Sequence, residues 1–138
     1  MSCKAAIYAA NTTSAAVVAG GTLPLGSTPI RRYSQCAVDL AGNAITLKEC
    51  GYYLVTVSAT FTAPAVGTVM LALLDDNITV PGATASKSVA TAATEVNSIS
   101  FTALVRVFNN SAPDNLTVLN SGVAATFSNI AVTAVKVV

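Results

Sequence analysis

The sequence predicts an all-β fold on three observations. Ala, Val, Thr and Ser dominate the chain, no helix cap is followed by an apolar stripe of 3.6-residue period, and turn-forming residues recur about every ten positions. With 138 residues and a mass of 13.9 kDa, the chain has the size of one domain that buries a core without disulfide or metal staples.

Taken in order, Cys3 to Ala10 reads as the first strand, and Ala15 to Ala19 as a second strand or an extended arm closed by Gly20-Gly21. Leu23-Pro24-Leu25-Gly26 and Thr28-Pro29 give an extended loop, because proline removes ladder donors and restricts the residue before it. Gln35 to Leu40 and Ala44 to Lys48 flank Ala41-Gly42-Asn43, whose glycine and asparagine tolerate positive φ, so this stretch is a hairpin. Gly51 opens the strongest strand. Tyr53, Val55, Val57, Ala59 and Phe61 share its core face, while Tyr52, Leu54, Thr56, Ser58, Thr60 and Thr62 share a mostly polar outward face. Thr68 to Leu74 is apolar on both faces, with Val69, Leu71 and Leu73 on one and Met70, Ala72 and Leu74 on the other. Such a strand is covered twice, by another layer of this chain or by a symmetry mate, and the scarcity of charge favours the mate.

Asp75-Asp76-Asn77 is a turn, and Ile78 to Ala85 the return strand with a bend or bulge at Pro81-Gly82. Ser86 to Thr94 reads as a polar link of small residues. Val96 to Phe108 is a strand with Ile99, Phe101, Ala103, Val105 and Val107 inward and Arg106 outward. Asn109 to Asn115 is a loop, Leu116 to Leu119 a short strand, Asn120 to Gly122 a turn, and Phe127 to Val138 a last strand pinned inside a sheet.

Charged residues make up 9% of the chain and apolar ones 53%, against a usual charged fraction of about 25%, so the deficit falls on the surface. Seven basic and six acidic side chains spread over a surface of roughly 6,700 Å² leave about one charge per 500 Å². Burial against copies of itself or against a larger particle is the simplest remedy. The net charge of +1 has no basic block, and Arg31-Arg32, the only basic pair, reads as a solvated loop or an inter-subunit contact, so no nucleic acid is implied. The uncharged runs Ala5 to Ile30 and Cys50 to Leu74 are too broken by polar residues, glycine, proline and period-two alternation to be membrane helices. The N-terminus lacks the apolar core of a signal peptide, which argues against Sec export.

Catalytic and metal chemistry lack their usual residues. There is no histidine, which excludes Ser-His-Asp and Cys-His catalysis and imidazole metal sites. Cys3, Cys36 and Cys50 have no C-x-x-C spacing and read as buried thiols, although a Cys36–Cys50 bridge becomes feasible if the segments flanking Gly42-Asn43 pair. Asp39 and Glu49 could approach across that hairpin, where a solvated or salt-bridged pair outweighs a glycosidase dyad. Asp75-Asp76 lacks a D-x-D pattern or downstream glutamate for calcium, and Gly20-Gly21 lacks the Lys-Ser/Thr of a phosphate loop. Asn11, Asn77, Asn109 and Asn115 begin N-x-S/T triplets that chance explains. Tyr8, Tyr33, Tyr52 and Tyr53 suit core and interface roles better than a carbohydrate platform. No enzyme activity, cofactor or metal is expected.

The G-Y-Y-x-V-x-V strand at Gly51 to Val57, the apolar strand and hairpin Val69 to Val80 and a final strand at the C-terminus resemble the jelly roll of the tumour necrosis factor and complement globular-head superfamily. The Val80-Pro81-Gly82-Ala83-Thr84-Ala85-Ser86 stretch, with Arg31-Arg32-Tyr33 and the Gly42-Asn43 hairpin, is most similar to the phage and bacterial surface members. The likeness covers roughly residues 30–138. It implies an antiparallel jelly-roll β-sandwich, tumour necrosis factor-like and homotrimeric, with apolar side chains facing the three-fold axis. The absence of a collagen-like stalk and the few aromatic residues count against a secreted signalling role.

The expected organisation is an N-terminal strand or attachment arm, residues 1–29, and a jelly-roll domain, residues 30–138. Tyr52, Leu54, Met70, Leu74 and Phe108 are the expected trimer-interface residues. The expected function is a non-enzymatic virion structural protein, a capsid decoration, head fibre or knob located in the virion. Its partners are itself and capsid or other virion proteins, with neither nucleic acid nor membrane. The alternative is a binding module on a phage, bacterial cell or spore surface that recognises a glycan or receptor through Asp75, Asp76, Asn77, Asn109, Asn110 and Asp114, residues of the loops where variable function sits on a rigid sandwich.

Overall fold

A computed structural model describes residues 4–26, 28–34, 37–92, 94–108 and 113–138. They form the strands β1 (Ala6–Asn11), β2 (Ala15–Val17), β3 (Arg31–Tyr33), β4 (Val38–Ala41), β5 (Ala44–Leu47), β6 (Gly51–Thr62), β7 (Gly67–Asp75), β8 (Ile78–Val89), β9 (Asn97–Val107), β10 (Asp114–Asn120) and β11 (Ala125–Lys136). Two antiparallel sheets result. One has the order β3-β1-β11-β6-β9, with β2 also paired to β11; the other has the order β4-β5-β10-β7-β8. From β8 onward the chain crosses between layers at every connection, which is how a jelly roll closes two sheets over one core. The exposed area of 6820 Å² sits close to the roughly 6,700 Å² expected of a folded monomer of this mass.

The core is built by period-two alternation. Tyr53, Val55, Val57, Ala59 and Phe61 of β6 are buried, and their neighbours point out. Across the sandwich Val69, Leu71 and Leu73 of β7 are fully buried. Phe61 packs on Phe127 with ring centroids 5.5 Å apart, a tilted contact worth about 1 kcal/mol beyond its area. An extra residue between Phe127 and Asn129 breaks the β11–β6 register and returns Ile130 to the core face.

Turn chemistry fixes the register elsewhere. Gly42 and Asn43 both have positive φ, at 58° and 65°, as do Asp76 and Asn77, at 50° and 67°, so β4–β5 and β7–β8 close through two-residue turns whose twist matches the strands. Asn43 also accepts a hydrogen bond from the Gly26 amide at 2.8 Å, tying the proline loop to the hairpin. Within β8, Ala72 pairs with Thr84 but Leu74 pairs with Thr79. The extra residues around Pro81-Gly82 form the bulge that the sequence suggested.

Three features differ from the sequence reading. Arg31–Tyr33 is a short strand along the edge of β1; its residues are all on the exposed side and carry no periodic signal. Residues 86–89 continue β8 instead of linking it to the next strand, since an edge strand needs only one covered side and tolerates Ser and Lys. Cys50 is exposed, so it is not a buried thiol. Cys3 and Cys36 lie outside the described residues. Residues 4–26 supply β1 and β2, and β1 lies inside the sheet between β3 and β11.

Candidate assembly face and acidic corner

The register lines up side chains in rows across the outer face of the six-stranded sheet. One row runs Tyr33, Ala6, Val135, Leu54, Leu104. The next runs Arg31, Tyr8, Thr133, Thr56, Thr102, and the third Ala10, Ala131, Ser58, Ser100. On the other side of the first row, Tyr52 stands opposite Arg106. The face therefore grades from apolar and aromatic, at the end near the chain termini, to a flat floor of Ala, Ser and Thr. Tyr33 is 66%, Leu104 56% and Leu54 43% exposed, so the first row is an apolar strip open to solvent. Small side chains beside it let another backbone approach closely.

Tyr52 and Leu54 lie on this face. Phe108 follows the end of β9, and its ring lies 4.2 Å from the Arg106 guanidinium carbon, which also stands over Tyr52. Met70 and Leu74 project instead from the outer face of the five-stranded sheet, opposite the buried Val69, Leu71 and Leu73. The five residues thus fall on two layers. Tyr33, which the sequence reading assigned to a core or interface role, completes the strip with Leu104 and Val135, which were not singled out from the sequence. Alternation in β9 and β11 points Leu104 and Val135 outward, but only the pairing register puts them in line with Leu54.

Asp75, Asp76, Asn77 and Asp114 gather at one corner, but only Asp76 and Asn77 are turn residues: Asp75 ends β7 and Asp114 opens β10, where the sequence suggested loops. Carboxylate oxygens of Asp75, Asp76 and Asp114 lie within 4.8 Å of one another, because Leu116 of β10 pairs with Asp75 and the Asn115 amide donates to Asp76 Oδ1 at 2.9 Å. Burial, then the hydrogen bond to Asp114, then the charges of Asp114 and Asp76 push the Asp75 carboxyl up to about 7. The pair Asp75–Asp114 consequently holds a proton toward neutrality, since like charges this close cannot all ionise freely. Asn109 and Asn110 lie outside the described residues. Beside the corner, a cleft of about 280 Å³ opens between β8 and β9, bordered by Asp75, Ile78, Pro81, Leu104, Arg106 and Phe108.

The remaining carboxylates considered for chemistry are engaged by cations. Asp39 accepts from Arg32 at 2.6 Å and lies 3.7 Å from Lys48; the Leu40 amide, followed by Arg32 and Lys48, holds it below the usual carboxylate range. Glu49 Oε1 lies 2.5 Å from Lys136 Nζ. The Tyr53 hydroxyl donates to the Glu49 carbonyl at 2.7 Å, and burial, with the Glu49 charge second, pushes that phenol up to about 12. Neither carboxylate is left as a poised acid or base.

No family model matches the sequence, and no curated protein matches it. Solved structures do resemble the fold. Eiger TNF from S. frugiperda superposes with a TM-score of 0.71 at 18% identity, over 97% of this chain and 92% of that one. The globular domain of zebrafish complement 1qA gives 0.65 at 11% identity, over 96% of each chain. The PRD1 vertex protein P5 gives 0.61 at 18% identity, over 99% of this chain and 75% of that one. At such low identities the likeness concerns fold alone, and on it the chain is an antiparallel jelly-roll sandwich of the kind found in tumour necrosis factor, the complement globular head and a phage vertex protein.

Proposed function

We propose that this chain is a non-enzymatic structural protein of a virus particle, a capsid decoration, head fibre or knob, and that it works as a homotrimer built on the outer face of the six-stranded sheet. The observation that carries the reading is the apolar strip Tyr33–Ala6–Val135–Leu54–Leu104 set in a floor of small residues. A sparsely charged surface offers little else to keep such a strip in solution, and burying about 800 Å² per partner is what a stable interface requires. The likeness to PRD1 vertex protein P5 supports a role on a particle. So does the end of the sandwich made by residues 18–22, 63–66, 90–92, 94–96 and 121–124, where among the described residues Glu95 is the only charge and Val18, Val66 and Val96 stand exposed. An uncharged, valine-tipped end suits end-on attachment to a larger protein surface.

Light scattering tests the assembly. The wild-type protein should run at three times its 13.9 kDa mass at micromolar concentration. Leu54→Asp should give a folded monomer, because it places a carboxylate from each copy in the buried strip. A wild-type monomer at that concentration overturns the trimer.

A further inference from the structure

The five-stranded sheet is the other layer of the sandwich, so a trimer built on the six-stranded sheet leaves its outer surface pointing away from the three-fold axis. Met70 and Leu74 of β7 stand on that surface with Ala72 between them, Leu119 beside Ala72 and Thr117 beside Leu74. Met70 is 38% exposed and Ala72 4%, so the apolar middle is filled level and has no groove. Threonine, serine and alanine dominate the rest of the surface.

Among the outward-facing strand residues the one charge is Asp39, at the β4 margin, where Arg32 and Lys48 flank it. Lys87 pairs with the buried Val69, and Asp75 and Asp114 align with the buried Leu116 and Leu47. These three therefore take the other side of their strands. Interfaces between unlike proteins draw register and specificity from complementary charge. A two-fold contact between like faces instead sets central side chains near their own images, where a charge of either sign meets its like. A face cleared of both signs suits the second kind.

We propose that the outer face of the five-stranded sheet pairs two-fold with the same face of a second copy, joining one trimer to the next. The area is sufficient for a weak contact. Five strands about 4.8 Å apart and about seven residues long at about 3.3 Å each cover roughly 24 by 23 Å, so two faces pressed together remove on the order of 1,100 Å², near the lower bound of specific interfaces. Met70 adapts to its partner surface better than a branched side chain would. Such a contact forms where trimers are already crowded, as on a particle, and three faces per trimer extend it sideways into a net. The inference rests on the trimer reading and adds the contact between trimers.

The test is the mass of the full chain by light scattering between about 0.01 and about 1 mM, a range that reaches weak contacts. The wild-type mass should climb above three chains of 13.9 kDa. β10 is the middle strand of the sheet and Thr117 its middle residue, so a two-fold axis through the centre of the contact passes close to it. Thr117→Lys should weaken pairing roughly tenfold or more, and so should Thr117→Glu, since each sets like charges together. An equimolar mixture of the two should regain it. Far-UV circular dichroism checks folding, and Met70→Lys replaces either variant that does not fold. A wild-type mass fixed at three chains throughout, or one that climbs equally with Thr117→Lys in a folded protein, overturns the face contact and leaves the trimer standing. No recovery in the mixture overturns the two-fold arrangement. A wild-type mass that climbs only from one chain to two, and that Thr117→Lys returns to one, overturns the trimer and leaves the face contact.

Discussion

Replacing Glu49 with Gln removes the counter-charge of an enclosed cation. The Lys136 side chain is 2% exposed and that of Glu49 24%, with Nζ and Oε1 2.5 Å apart. The asymmetry sets the magnitudes. Glutamine accepts a hydrogen bond but brings no charge, so the ammonium stays buried without compensation, at a cost of about 3–5 kcal/mol. Lys136→Met removes the buried charge and leaves a carboxylate that rehydrates, at a cost below about 1 kcal/mol. The double variant should therefore resemble Lys136→Met and be more stable than Glu49→Gln. Urea unfolding at one fixed protein concentration reads this out, since the stability of an oligomer depends on concentration. With a slope of about 1–3 kcal/mol per molar, Glu49→Gln should lower the midpoint by about 1 M or more. Equal midpoints for the two single variants would refute the claim that the pair is desolvated on the lysine side.

Two further outcomes follow from the same packing. Asp75 has a folded value of about 7 against an ordinary 3.8, so the folded state holds its proton more tightly than the unfolded chain and stability falls as pH rises between those values. Asp75→Asn should remove that slope, raising the melting temperature at pH 8 by the equivalent of about 1–2 kcal/mol after allowance for solvent screening, with no gain below about pH 4. Deleting residues 2–28 removes β1 from between β3 and β11 and should abolish the folded β signal in circular dichroism; a folded trimer would show that β11 closes the sheet without it.

Much of the fold is legible in the sequence because the evidence for it is local. The alternation of β6 separates Tyr53, Val55 and Val57 from Tyr52, Leu54 and Thr56 without reference to any partner. Gly42-Asn43 and Asp76-Asn77 declare their turns through residues that tolerate positive φ. Where the sequence misleads, the partner decides. Arg31–Tyr33 becomes a strand because β1 offers it an open edge, and Ser86 to Val89 stays in β8 because Thr68 and Gly67 of β7 are there to pair with. Propensity is a weak guide on both segments, as each has solvent on one side.

The candidate sites are less legible because their members meet only through long-range register. Lys136 reaches Glu49 across 87 positions, and Asp76 meets Asn115 across 39. Neither spacing marks the sequence. The two-faced apolar strand shows the same limit: Val69, Leu71 and Leu73 are indistinguishable in kind from Met70, Ala72 and Leu74. The turn at Asp76-Asn77 and the pairing of β7 with β10 decide which set turns inward. Once Leu71 is core, the apolar strip has to be sought on the other sheet, where Leu54 has neighbours from four different strands. A strip assembled from five strands requires the complete register, and for that reason interface residues picked strand by strand from β6, β7 and the end of β9 divide between two layers.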